Sequence, residues 1–263
     1  MPQTSPVKLV QVSTASGVTT LTLDSPRNRN ALSTPLMDQL REGLASAVRD
    51  ESVRVVVLSH TGPVFCSGID LAETEAARRA GTMPAATFAD LLGEVWDCPK
   101  PVVARVGGPA RAGGLGLIAA ADIAVCADDA TFAFTEVRLG VIPAVISAAV
   151  LPRLNPRAAD RLYLTGEVFD GVRAAAAGLV SEAVPPQALD ATVAEVCAAL
   201  VRGAPNALAG AKRLLRRRPA AAMADELAEM SALSVGYFQS DDAREGISAF
   251  RDRRDPVWVP TGG

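Results

Sequence analysis

Histidine, aromatic residues and paired cysteines are scarce in this chain, and each scarcity removes a class of function. One histidine, His60, occurs in 263 residues. A zinc site or a Ser-His-Asp triad needs imidazoles set against partners, so neither is expected to organise the chemistry. His60 closes an apolar run and reads as a strand-end residue. The four cysteines, Cys66, Cys98, Cys126 and Cys197, are scattered without a CxxC. That is the pattern of reduced thiols in a cytosolic setting, not of a disulfide framework. Aromatic residues make up 4% against 49% hydrophobic overall, so a core of Ala, Val and Leu is expected. No apolar run reaches the ~18 residues that span a bilayer, and the polar Met1 to Pro6 does not read as a signal peptide. A soluble cytoplasmic protein without a metal site follows. The net charge is -3, and the densest basic stretch, Arg213 with Arg216, Arg217 and Arg218, lies in a helical pattern. It reads as a solvated helix end, and nucleic-acid binding is not expected.

What is present is an alternation of short strands and helices. Val7 to Ser13 and Gly17 to Asp24 read as a hairpin with Gly17 at the turn. Thr34-Pro35 reads as an N-cap followed by Pro at the first helical position, leading into Leu36, Leu40, Leu44 and Val48. Val53 to Ser59 is a β-branched run typical of a buried strand, and Asp70 with Glu73 looks like a capping box. A helix through Phe88, Leu92 and Val95 stops at Pro99 and Pro101. Strands follow at Val102 to Val106, Ile123 to Ala127 and Thr131 to Phe134, with a short helix ending near Ala121. From Pro143 the pattern is mostly helical, Leu179 to Val184 being the one remaining strand candidate. The chain is thus expected to be α/β over roughly its first two thirds and helical beyond. Residues 1–200 are expected to form the core and residues 201–263 a C-terminal helical region.

Two glycine-bearing loops, Phe65 to Asp70 and Gly107 to Gly116, each follow a strand and open a helix. Such loops present free backbone N–H groups at a positive helix end, suited to an oxyanion or a phosphate. Gly114-x-Gly116-x-x-Ala119 also matches a relaxed dinucleotide fingerprint. The helix that follows is too short for the usual crossover, which argues against that reading. Glu136, flanked by apolar sequence, leaves two readings open: a partly desolvated acid/base, or a surface pair with Arg138. Arg111 reads as a loop arginine facing solvent, with a carboxylated ligand group as the alternative.

The stretches SPRNRNALS (Ser25 to Ser33), FCSGIDL (Phe65 to Leu71), KPVVARVGGPARAGGLGL (Lys100 to Leu117) and DIAVCADDATFAFTEVRLGVIP (Asp122 to Pro143) resemble the crotonase, or enoyl-CoA hydratase/isomerase, superfamily. LTGEVFDGVRAAAAGLV (Leu164 to Val180) and DDAREGISAFRDRRDP (Asp241 to Pro256) extend the resemblance along nearly the whole chain. It implies a spiral of strand-strand-helix repeats with a C-terminal helical region that builds a homotrimer or a dimer of trimers. It implies an acyl-CoA substrate that carries its own coenzyme A, and no further cofactor. By the same resemblance, the backbone N–H groups of Ile69 and Gly113 form an oxyanion hole and Glu136 is the acid/base. Arg29, Ala31, Leu32, Ser67, Gly68, Asp70, Leu71, Gly114 and Phe250 fall on positions that contact the thioester or its CoA, with Asp70 better read as a helix cap. The family's hydratases typically carry a second glutamate, and here that position is Gly116. GGLGL, TEVRLGVIPAVIS and VFDGVRA together resemble most a branch containing methylglutaconyl-CoA-type hydratases, which also lack it. Hydration of a 2-enoyl-CoA is therefore the expected activity, with double-bond isomerisation and a non-catalytic binding protein of the same fold as alternatives.

Overall fold

The computed structural model describes residues 7–70, 72–73, 85–216 and 222–258. Strands β1 (Val10–Ala15) and β2 (Val18–Leu23) form an antiparallel hairpin. Its turn residues Ser16 and Gly17 both take positive φ, 51° and 78°, which matches a turn to the twist of the strands it joins. β2 continues into β3 (Val55–His60), β4 (Val102–Val106), β6 (Ile123–Ala127) and β9 (Glu182–Val184), all parallel, giving the order β1-β2-β3-β4-β6-β9. β3 and β4 are apolar along nearly their whole length because both of their faces are buried. A second sheet of three short strands, β5 (Ala110–Arg111), β7 (Thr131–Ala133) and β8 (Phe169–Asp170), sits beside the first.

Helix α1 (Thr34–Arg49) buries Leu36, Met37, Leu40, Leu44 and Ala47 along one stripe. Its N-cap is Ser33, one residue earlier than the sequence suggests, with Thr34 and Pro35 in the first turn. Helix α2 (Ala85–Asp97) ends before Pro99, and α3 (Gly113–Ala120) is buried at every position. A helix without a polar face must lie inside the molecule, and α3 packs between α2 and α4 (Ala144–Val150). The chain ends in α5 (Pro156–Thr165), α6 (Gly171–Ala177), α7 (Leu189–Val201), α8 (Pro205–Leu215), α9 (Ala222–Phe238) and α10 (Asp241–Asp252). β8 interrupts the helical run read after Pro143; a two-residue strand leaves no periodicity to detect.

The core is largely aliphatic, yet Phe65, Phe88, Phe132 and Phe134 are among its largest fully buried side chains. Aromatic scarcity in the sequence therefore does not mean an aromatic-free core. All four cysteines are buried and unpaired. His60 closes β3 and accepts a hydrogen bond at Nε2 from the Gly107 N–H at 3.0 Å. Among the described residues no helix is long and apolar enough to cross a membrane.

Arg216 departs from its reading as a solvated helix end. At the C-cap of α8 its side chain is 9% exposed, and it pairs with Asp122 Oδ1 at 2.7 Å, while Lys212 Nζ meets Asp122 Oδ2 at 2.8 Å. Its guanidinium also stacks over Trp96 and donates to the Trp96 and Ala120 carbonyls at the ends of α2 and α3. Arg153 donates to the Ala119 and Ala121 carbonyls. Cations at helix C-termini complement both the free carbonyls and the helix dipole. Arg217 and Arg218 lie outside the described residues.

Candidate active site

Three loops are stitched into one floor. Asn30, fully buried with φ 53°, accepts the Ser25 N–H through Oδ1 and donates through Nδ2 to the Thr61 and Val64 carbonyls. It ties the loop before α1 to the loop after β3. The Leu32 N–H donates to the Gly68 carbonyl at 2.8 Å, and the Ser67 N–H to the Arg29 carbonyl. The Phe65 N–H donates to the Pro109 carbonyl, and the Arg111 N–H to the Cys66 carbonyl at 3.0 Å. The sequence offered Asn30 only as one residue of a matching stretch; its side-chain bonds across 31 and 34 residues are long-range and left no local signal.

This stitching leaves two donors unused. Among the described residues, neither the Ile69 N–H nor the Gly113 N–H makes a backbone hydrogen bond. Gly113 opens α3, where an N–H has no intrahelical acceptor. The residue before it, Ala112, takes φ 45° and ψ −116°, a strained conformation of the kind that persists where surrounding structure enforces it. Gly68, at φ +96°, brings the two loops close: a Cβ there would lie 2.9 Å from Ala112 Cβ and 3.4 Å from the Gly113 nitrogen.

Glu136 starts the 3-10 turn Glu136–Leu139 that follows β7. The turn is held by Gly140 in the left-handed region and by α10, whose Gly246 sits so close that a Cβ there would meet Leu139 at 2.5 Å. Glu136 is buried, and its Oε2 has no hydrogen-bond partner. Arg138 turns away and donates to the Thr165 carbonyl, so the surface-pair reading of Glu136 falls. Burial pushes the Glu136 carboxyl up to about 7, the consequence of removing a charge from water without a counter-ion.

The position of the second glutamate is closed. A Cβ on Gly116 would lie 2.7 Å from Ile146 Cγ2, 3.2 Å from Ile146 Cβ and 3.3 Å from Leu92 Cδ1. The isoleucine of α4 fills the space into which a side chain on α3 would project.

These groups face a cavity of about 710 Å³. Arg29, Ala31, Ser67, Ile69, Asp70, Gly113, Glu136 and Phe250 line it. Leu32, Gly68 and Gly114 lie behind the wall. Leu32 is a core residue whose Cδ1 would stand 2.9 Å from a Cβ at Gly113, and Gly114 packs on Cys66. Leu71 lies outside the described residues. Asp70 Oδ1 accepts the Ala72 and Glu73 N–H groups at 3.0 and 3.2 Å, the cap expected of it. The reciprocal half of the capping box is absent, because Glu73 Oε2 accepts the Thr34 N–H at the start of α1. Arg111 is half-buried and lines the cavity, which replaces its reading as a solvent-facing loop arginine.

The α/β architecture, with two unused backbone donors and a buried carboxylate bordering one cavity, is that of the crotonase fold. The family model described as enoyl-CoA hydratase/isomerase matches residues 13–260, and the chain belongs to that family. It is 32% identical to 2,3-dehydroadipyl-CoA hydratase of Escherichia coli over 93% of this chain and 96% of that protein. It is 34% identical to carnitinyl-CoA dehydratase of Citrobacter koseri over 90% and 93%. A crystal structure of an enoyl-CoA hydratase from Mycobacterium avium superimposes with a TM-score of 0.85 at 43% identity, covering 95% of this chain and 99% of that one.

Proposed function

We propose that this enzyme adds water across the double bond of a 2-enoyl-CoA thioester, with Glu136 as its sole side-chain acid/base. The Ile69 and Gly113 N–H groups receive the thioester oxygen as negative charge develops on it, a role worth about 3–4 kcal/mol per donor in comparable sites. Glu136 in its ionised form takes a proton from the attacking water, then returns one to the α-carbon as the enolate collapses. The observation that carries this reading is the buried, unpaired Glu136 carboxyl, near 7, on the wall of the cavity that both unused donors border. An acid poised near neutral pH can both accept and return a proton. CoA-ester contacts fall to Arg29, Ala31, Ser67 and Asp70 on the cavity wall, with Phe250 on α10 beside the mouth.

Gly116 beneath Ile146 favours a second reading, in which Glu136 shuttles a proton between C2 and C4 of a 3-enoyl-CoA. A panel of 2-enoyl and 3-enoyl esters, followed for water addition and for double-bond migration, separates the two. Turnover of neither class overturns both. The exposed apolar side chains Leu164, Val168 and Val172, with Leu233 on α9, support assembly into a trimer or dimer of trimers. The chain itself already covers part of α9, since Leu227 is buried and Phe238 lines the cavity. Light scattering that reports a stable monomer at micromolar concentration rejects the assembly.

A further inference from the structure

The cavity holds a cation that the hydration scheme does not use. Four arginines line it, of which Arg27, Arg29 and Arg138 are exposed and Arg111 is half-buried. Exposed cations are screened by water, whereas a partly desolvated one acts on a ligand at higher effective strength. Arg111 has no carboxylate partner among the described residues. Its Nη1 donates to the Ala110 carbonyl at 2.8 Å and the Thr131 carbonyl at 2.6 Å, and its Nη2 to Thr131 Oγ1 at 3.1 Å. All three acceptors are neutral.

A guanidinium carries five N–H donors. Two of Nη1 and one of Nη2 are engaged, so the Nε–H and the second Nη2–H remain. Together they form one flat edge of the fork, the geometry that takes both oxygens of a carboxylate. The edge keeps some solvent contact, because Arg111 Nε is not among the fully buried donors left without a partner in the described residues. Thr131 holds the far side of the guanidinium in place, so the open edge is pre-set.

We propose that Arg111 is a specificity-determining residue whose open edge binds the terminal carboxylate of a dicarboxylic acyl-CoA thioester. The proposal rests on the placement of the thioester carbonyl at the Gly113 N–H. Arg111 lies two residues before Gly113, hence within about 7.6 Å of it between Cα atoms. The pantetheine arm separates the thioester from the CoA diphosphate, so the anion nearest Arg111 is one on the acyl group. Burial without a counter-ion makes the guanidinium costly in the empty site, and an acyl carboxylate repays that cost in a way a methyl end cannot.

Calorimetric binding of saturated esters tests this without turnover. Glutaryl-CoA and pentanoyl-CoA differ by a carboxylate in place of a terminal methyl; succinyl-CoA with butyryl-CoA and adipyl-CoA with hexanoyl-CoA extend the pair to other lengths. The wild-type enzyme is expected to favour the carboxylated member of at least one pair by about tenfold or more. Arg111→Gln should erase that preference while changing pentanoyl-CoA affinity less than about twofold, and Arg111→Lys should restore part of it. Should Arg111→Gln fail to fold, the wild-type preference and the Arg111→Lys variant decide alone. Equal wild-type affinity within every pair overturns the proposal and leaves the thioester site standing. If Arg111→Gln weakens both members alike, and 3′-dephospho esters do not show the loss, Arg111 serves a CoA phosphate and the proposal is overturned. Binding of no ester at all fails the site reading together with the proposal.

Discussion

Among the described residues, Asp122 and Glu136 are two carboxylates largely withdrawn from solvent, and they are treated in opposite ways. Asp122 follows α3 and meets Lys212 and Arg216 from α8, while its Oδ2 also accepts the Val102 N–H at 2.8 Å. Glu136 follows β7 and meets no cation; one of its oxygens has no partner at all. The first arrangement joins the C-terminal helices to the parallel sheet through charge. The second leaves a carboxyl that burial raises to about 7. Burial alone therefore says little about a carboxylate's task; what decides it is whether the fold supplies counter-ions.

The comparison can be broken most forcefully at Asp122. Asp122→Ala should cost about 3–5 kcal/mol in urea denaturation, since it strands two buried cations. A loss under about 1 kcal/mol would mean that the helix-end carbonyls carry Lys212 and Arg216 unaided. At Glu136 the large effect should be on rate. Glu136→Gln should lower kcat/KM by at least ~10²-fold while CoA-ester binding survives, and near-full activity in that variant would return Glu136 to a structural role.

The same substitution should raise stability at high pH. The Glu136 carboxyl is raised in the folded state from 4.5 to about 7, so folding holds its proton between those values. Its contribution is intact below about 4.5 and declines as pH rises towards 7, by about 3 kcal/mol in all. Wild type and Glu136→Gln should therefore diverge over that window in Tm, with the glutamine variant gaining, and wild-type kcat/KM should rise through pH 7 as the base ionises. Parallel Tm curves would show that the carboxyl is not desolvated. Gly116→Glu alone should cost about 1–3 kcal/mol by overpacking against Ile146, and combining it with Ile146→Ala should recover much of that loss. The smallest effect belongs to Asp70→Ala, about 1 kcal/mol for a lost cap, with little change in kcat.

The strands β4 and β6 were legible residue for residue, because buried parallel strands are runs of Val, Ile and Ala between breakers. The two loops that carry Ile69 and Gly113 were legible for a similar reason: glycine after a strand and before a helix is a local signature. Glu136 was visible as a position and invisible as an environment. The turn that carries it packs against Gly246 of α10, more than a hundred residues later. Arg216 was misread because four arginines in a helical stretch look solvated, and its partner Asp122 lies 94 residues away. The closing of Gly116 by Ile146 likewise needs two helices to be brought together. Contacts that cross the fold, not local propensity, set the chemistry of this site.

The isoleucine over Gly116 also constrains the history open to this lineage. A carboxylate cannot arrive at position 116 in one step without colliding with α4, and trimming Ile146 first would remove a buried side chain from the packing of α3 and from the cavity wall. Either intermediate is penalised, so the two positions behave as a ratchet. On the one-glutamate chemistry proposed here, new activities are reached more easily from residues at the rim than by placing a second acid at position 116.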